Sequence, residues 1–118
     1  MKQQPNISAA QATEDGYQLT FLLEPNLSYF DGHFPQQPVL AGVVQLDWAV
    51  DFARQYLDIA TTDINSVEIL KFQQILEPNT LVTLELVRKD HHKFTFSYSS
   101  AAGNHASGRI KLEVESTQ

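Results

Sequence analysis

Apolar residues recur at every second position in several stretches of the chain, and this period predicts β-strands with one buried face. The first stretch, residues 17–23, alternates Tyr17, Leu19, Phe21 and Leu23 with more polar neighbours. Further strands are predicted at residues 66–72, 81–87, 94–99 and 107–114. Short turns rich in Pro, Asn, Asp and Gly separate these later strands, so we expect antiparallel hairpins. No strand is predicted in the polar stretch before residue 17.

The period changes to that of a helix over residues 39–58. One face is predicted to carry Val43, Leu46, Val50, Ala53 and Leu57, and further apolar residues lie nearby, namely Val44, Trp48, Phe52 and Tyr56. The polar side chains fall in one narrow stripe, which consists of Asp47, Asp51, Arg54 and Asp58. We therefore expect this helix to be buried nearly all round. Residues 26–38 combine one glycine, two prolines and three aromatic residues, a composition that predicts a loop.

One long buried helix among antiparallel strands predicts an α+β architecture in which a curved sheet wraps the helix. This arrangement is the hot-dog fold. A curved sheet of this size leaves open edges, and proteins commonly cover such edges by pairing. We therefore expect a homodimer whose two sheets join edge to edge.

The chain has 118 residues, which predicts one domain over residues 1–118. Its net charge of -6 argues against nucleic acid as a partner, and the absence of cysteine excludes disulfides and thiolate metal sites. No apolar stretch is long enough to span a membrane. The first twelve residues lack the pattern of a secretion signal, so a cytoplasmic protein is expected.

The candidate chemistry lies in the loop and the start of the helix. Gly32-His33-Phe34-Pro35 is followed by Pro38-Val39, Ala41-Gly42-Val43 and Leu46-Asp47. This stretch resembles the motif of the β-hydroxyacyl-acyl-carrier-protein dehydratases of bacterial fatty-acid synthesis. In that family an acidic residue follows the histidine by fourteen positions, and the same spacing joins His33 to Asp47. A strand, a proline turn and another strand at residues 70–81 extend the resemblance over nearly the whole chain.

The chain departs from the family pattern at four positions. Ala41 replaces a proline, Gln36 and Asn79 replace glycines, and Asp51 replaces a common glutamine. None of these changes removes a candidate catalytic group. A short chain with Asp-Trp after Leu46 is most similar to the small dehydratases of aryl-polyene and other specialised acyl-chain clusters.

The resemblance implies dehydration of 3-hydroxyacyl thioesters to trans-2-enoyl thioesters, without a metal or cofactor. His33, an imidazole that can accept a proton at neutral pH, is the candidate base, and Asp47 is the candidate proton donor to the leaving hydroxyl. A backbone N–H of Gly42 at the helix start is expected to stabilise charge on the thioester oxygen. Because His33 and Asp47 are far apart along one chain, the resemblance implies that they meet across a dimer interface.

The substrate in this family is carried by an acidic acyl carrier protein. The residues expected to bind the acyl chain are Tyr29, Phe30, Phe34 and Val39. Lys71 and Arg54 are expected to dock the carrier, because a chain at -6 needs a local group of cations for that purpose.

Other interpretations of the same residues remain open. Asp47 could belong to a solvated stripe, His33 could be a packing residue of the loop, and Gly42 could simply start a helix. His91 and His92 are interpreted as a hairpin tip and not as metal ligands. The alternative functions are an acyl thioesterase on the same fold and an inactive acyl-chain binding partner.

Overall fold

The computed structural model describes residues 5–24, 40–57, 63–90 and 93–113, with the backbone alone at 63–65 and 112–113. Within these residues the elements are β1 (Ile7–Ala12), β2 (Gly16–Leu22), α1 (Gly42–Tyr56), β3 (Asp63–Phe72), β4 (Leu81–Asp90), β5 (Lys93–Ser100) and β6 (Gly103–Glu113). The six described strands form one sheet in the order β1-β2-β4-β5-β6-β3, and all neighbours pair antiparallel. The α+β hot-dog fold predicted from the sequence is confirmed.

The buried face of the sheet follows the alternation seen in the sequence. In β2 the side chains of Leu19 and Phe21 are fully buried, while Gln18 before them is exposed and Thr20 between them is half-buried. The same alternation buries further residues of the central strands: Val82, Leu84, Leu86, Phe94, Phe96, Tyr98, Ala106 and Ile110. All five predicted strands are present. In β2, β4, β5 and β6 the inward side chains form one core with α1, whereas the described side chains of β3 are exposed.

Strand β1 was not predicted. Its residues lie almost entirely exposed and show no apolar alternation, so the periodicity carries no signal for it. Its main chain pairs with β2 from Ile7 opposite Phe21 to Ala12 opposite Tyr17. Backbone hydrogen bonds, which do not depend on side-chain type, thus define this edge strand.

The helix begins at Gly42, with Ala41 as an extended N-cap residue, and not at residue 39 as predicted. Its described buried residues are Gln45, Trp48, Ala49, Val50, Phe52 and Ala53. Val43, predicted to face inward, is 74% exposed. Val50, Ala53 and Leu57 of the same predicted face are buried, so the exposure of Val43 is confined to the first turn of the helix. No helix among the described residues is long and apolar enough to cross a membrane.

The turn before β4 explains one departure from the family pattern. Asn79 adopts a positive φ of 65°, a conformation that favours glycine and that asparagine tolerates better than most residues. Its N–H donates to the carbonyl of Leu23, which ties the turn to the end of β2. The turn therefore keeps its shape without the glycine.

The two edges of the described sheet differ in character. At one edge β1 is short and polar. At the other edge β3 is ten residues long, pairs only with β6 among the described strands, and exposes the apolar side chains of Val67, Ile69, Leu70 and Phe72. An edge of this kind is open to pairing with another chain.

Candidate active site

The start of α1 presents backbone donors. Val44 and Gln45 donate their N–H groups to the carbonyl of Ala41, at 3.0 and 3.1 Å. The N–H groups of the first helical residues have no acceptor within a helix, and no side chain among the described residues caps this end. Gly42 therefore stands where the partial positive charge of the helix is available to an oxygen atom.

Gly42 also lies close to Phe72 at the end of β3. A Cβ atom added to Gly42 would lie 2.7 Å from Cζ of Phe72. No larger residue fits there unless the aromatic ring moves, and that ring is 53% exposed. Glycine at this position thus lets Phe72 cover the first turn of the helix.

A cavity of about 500 Å³ lies beside this contact. It is lined by the helix start and by the segment that follows β3, through Leu40, Ala41, Gly42, Gln45, Phe72, Gln73, Gln74 and Ile75. None of these side chains is charged. The cavity therefore suits an uncharged ligand that extends along the helix start.

Asp47 lies half-buried in the second turn of α1, and its charge acts on Tyr98. The Tyr98 hydroxyl is buried and donates to the backbone carbonyl of Gln45, at 2.6 Å. Burial raises the pKa of Tyr98 well above its usual value, and the charge of Asp47 nearby raises it further. Tyr98 therefore stays protonated and holds the helix backbone next to the candidate acid.

Gly42 and Asp47 do not converge within one chain. Five residues of helix separate them by roughly 7.5 Å along the axis and about 140° around it. Asp47 is not among the residues that line the cavity at Gly42. Within a single chain, the candidate oxygen-binding group and the candidate acid thus face different directions.

The remaining candidates of the loop lie outside the described residues. They are the base His33 and the acyl-binding candidates Tyr29, Phe30, Phe34 and Val39. The hairpin-tip histidines His91 and His92 lie outside them as well. Among the residues that are described, no group of three histidine or carboxylate side chains could hold a metal ion.

Comparison with known proteins identifies the family. The model of the ApeI-like family, described as ApeI dehydratase, matches residues 9–109. The chain belongs to the ApeI-like dehydratase family. A solved structure described as the dehydratase heterocomplex ApeI:P from Xenorhabdus doucetiae is 32% identical over 93% of this chain and 98% of that chain, with a TM-score of 0.84.

A second solved structure is an uncharacterized protein from Erwinia carotovora subsp. atroseptica. It is 35% identical over 94% of this chain and 97% of that chain, with a TM-score of 0.79. No curated protein matches the chain. Each match covers nearly the whole length of both chains, so the similarity extends over the entire fold and not only over the motif.

Two buried polar residues near the site were missed by the sequence analysis. Gln45 lies among the buried apolar residues of the helix. Its position three residues before Trp48 is the sequence signal that could have identified it. His105 is 4% exposed, and its Nδ1 lies 2.9 Å from the carbonyl oxygen of Ile75. Because a carbonyl only accepts, Nδ1 donates, and the Ser100 hydroxyl donates to Nε2 at 2.6 Å. His105 thereby fixes one wall of the cavity.

The two carrier-docking candidates, Lys71 and Arg54, lie on different elements, β3 and α1. Lys71 is exposed on β3 and shares a shallow cavity of about 190 Å³ with Arg109 of β6. Arg54 lies on the helix, 3.9 Å from the carboxylate of Asp51. Both arginines have a carboxylate neighbour, since Nη1 of Arg109 lies 4.0 Å from Oε1 of Glu68.

Proposed function

We propose that this ApeI-like family member removes water from 3-hydroxyacyl thioesters carried by an acyl carrier protein, to give trans-2-enoyl thioesters in aryl-polyene or fatty-acid-type chain synthesis. The observation that carries the proposal is the helix start at Gly42, which no described side chain caps, beside a cavity lined by uncharged residues in a chain of a dehydratase family. An oxygen that gains negative charge is stabilised at such a helix start.

The elimination can be assigned to three groups. His33 takes the proton from the carbon next to the thioester carbonyl, and the electron pair moves toward the carbonyl oxygen, which the Gly42 N–H stabilises. The pair then forms the new C=C bond as the C–O bond of the 3-hydroxyl breaks. Asp47 gives a proton to the leaving oxygen, which departs as water. No metal or cofactor is needed for these steps.

Two observations support a site that is shared by two chains. Gly42 and Asp47 diverge on one helix, and the exposed apolar edge at β3 offers a surface for a second chain. We propose a homodimer in which each site combines His33 of one protomer with Asp47 of the other. The relative described as a heterocomplex favours pairing with an unlike subunit as the second candidate assembly.

The alternative function is thioester hydrolysis on the same fold. The two reactions differ in product, since dehydration keeps the thioester and creates a conjugated C=C bond, whereas hydrolysis releases a thiol. Incubation with 3-hydroxyacyl thioesters of several chain lengths should produce enoyl absorbance without free thiol. Release of free thiol without enoyl absorbance would assign the chain to the thioesterases. Neither product from any of the thioesters would favour the inactive acyl-chain binding partner.

Carrier docking through Lys71 predicts a charge-dependent rate. Lys71→Glu should lower kcat/KM on carrier-bound substrate by roughly fivefold, because surface charge pairs contribute about 1 kcal/mol. Added salt should have the same effect on the wild type. Activity on a small thioester without a carrier should change little in either case.

Lys89→Glu is the matched control, since Lys89 is exposed at the far end of β4. Arg109→Glu should resemble Lys71→Glu, and Arg54→Glu tests the helix as the docking surface. An equal salt response for carrier-bound and small substrates would leave carrier recognition to apolar contacts and contradict the assignment of Lys71.

A further inference from the structure

Gln45 is a polar residue in an apolar position. Its side chain is 3% exposed, and it belongs to the stripe of α1 that packs on the sheet. It also lines the cavity that adjoins Gly42. A buried amide is retained in such a place only when its polar atoms find partners, since an unpaired one is costly.

The amide of Gln45 is half satisfied. Nε2 donates to the carbonyl of Leu40 at 3.0 Å, which fixes which end of the amide is nitrogen. Oε1 is buried and accepts no hydrogen bond from any described residue. The open group is thus a neutral acceptor.

The structure holds this acceptor in place from two directions. The Tyr98 hydroxyl binds the backbone carbonyl of Gln45, and the Leu40 carbonyl binds its side chain. Leu40 is itself fixed, since its N–H donates to the carbonyl of Leu76 at 2.7 Å. An acceptor held on both sides loses little conformational entropy when a ligand binds.

We propose that Gln45 is a substrate-binding residue whose Oε1 accepts a hydrogen bond from an uncharged O–H or N–H group of the thioester. This inference rests on the proposed function and adds a polar contact to it. Two groups of a carrier-bound substrate have this chemistry, namely the 3-hydroxyl of the acyl chain and an amide N–H of the arm that bears the thioester. The absence of charged side chains among the cavity residues fits a neutral donor.

Gln45→Met tests the proposal, since methionine keeps the size of the side chain and removes the acceptor. Three probes separate the two sources of the donor. The N-acetylcysteamine thioester of 3-hydroxyoctanoic acid has both hydroxyl and amide, its octanoyl analogue lacks the hydroxyl, and S-propyl 3-hydroxyoctanethioate lacks the amide. The readout is kcat/KM for the hydroxyacyl probes and the inhibition constant for the octanoyl probe.

Gln45→Met should weaken the response to probes that carry the donor by about tenfold, the scale of one lost hydrogen bond, and leave the probe without it unchanged. A loss on both hydroxyacyl probes but not the octanoyl probe identifies the hydroxyl. A loss on both N-acetylcysteamine probes but not the S-propyl probe identifies the amide. Equal responses of variant and wild type on all probes, or an equal loss on all three, would overturn the proposal.

Two controls keep this test independent of folding and of the proposed function. Gln55→Met makes the same change at an exposed position of α1 and should leave all constants unchanged. The melting temperature of Gln45→Met should stay close to that of the wild type, because the unpaired buried oxygen is removed together with the bond to Leu40. If the wild type dehydrates neither hydroxyacyl probe, the proposed function fails, and dissociation constants of the three probes by calorimetry still decide the role of Gln45.

Discussion

Replacing His33 by alanine, or Asp47 by asparagine, should lower turnover by about two decades or more, which is the scale of losing a positioned acid or base. His33→Ala removes the proposed base. Asp47→Asn keeps the size of the side chain and removes the proposed proton donor to the leaving hydroxyl. Steady-state kinetics on a 3-hydroxyacyl thioester measures both effects.

Matched variants separate chemistry from folding in this test. Asp51→Asn makes the same change one turn further along the helix, in the same polar stripe, and should retain nearly full activity. His92→Ala is the matched control for His33→Ala, since it removes a histidine between β4 and β5 and should also retain nearly full activity. Turnover close to wild type in His33→Ala or Asp47→Asn would move the chemistry to other residues, provided that the melting temperature shows an intact fold.

Mixing His33→Ala with Asp47→Ala, each inactive alone, should restore activity. In a homodimer with shared sites, a hybrid of His33→Ala and Asp47→Ala has one site with both lesions and one site with neither. Hybrids purified through two different tags should therefore regain about half of the wild-type turnover, well above the residual rate of either variant, which should be about 1% of wild type or less.

The control for the hybrid joins His33→Ala to the double variant His33→Ala/Asp47→Ala, which leaves no intact site in any arrangement. Sites formed within one chain predict no recovery in either mixture, because every chain carries a lesion. An obligatory unlike partner, as in the relative described as a heterocomplex, also predicts none. Recovery in the first mixture alone is the expected result.

Strong side-chain periodicity made most of the fold predictable. Leu19 and Phe21 in β2, and Phe94 and Phe96 in β5, alternate with residues that are less buried, so the sequence pattern identified both strands and their buried face. Strand β1 lacks that pattern, because its main chain supplies the pairing to β2. Periodicity detects burial of side chains and therefore misses an edge strand that buries few of them.

The orientation of the helix and the details of the site were less predictable. Val43 has the right spacing for the predicted face, and Val50 and Ala53 of that face are buried, but Val43 itself is exposed in the first turn of the helix. Gln45 lies about 20° around the helix from Phe52 and is buried beside it, whereas a pattern that treats Gln45 as polar places it outside. The family motif indicated Gly42 and its spacing indicated Asp47, whereas the start of the helix at Gly42 and the absence of Asp47 from the cavity lining became visible only in the structure.

The central claim is that this chain removes water from a carrier-bound 3-hydroxyacyl thioester. Mass spectrometry of the intact acyl carrier protein, before and after incubation with the wild-type enzyme, tests it most directly. The account predicts a loss equal to one water molecule, with the acyl chain still attached and with no such loss for His33→Ala. Loss of the whole acyl group, which returns the free thiol of the carrier, would contradict the account and indicate a thioesterase.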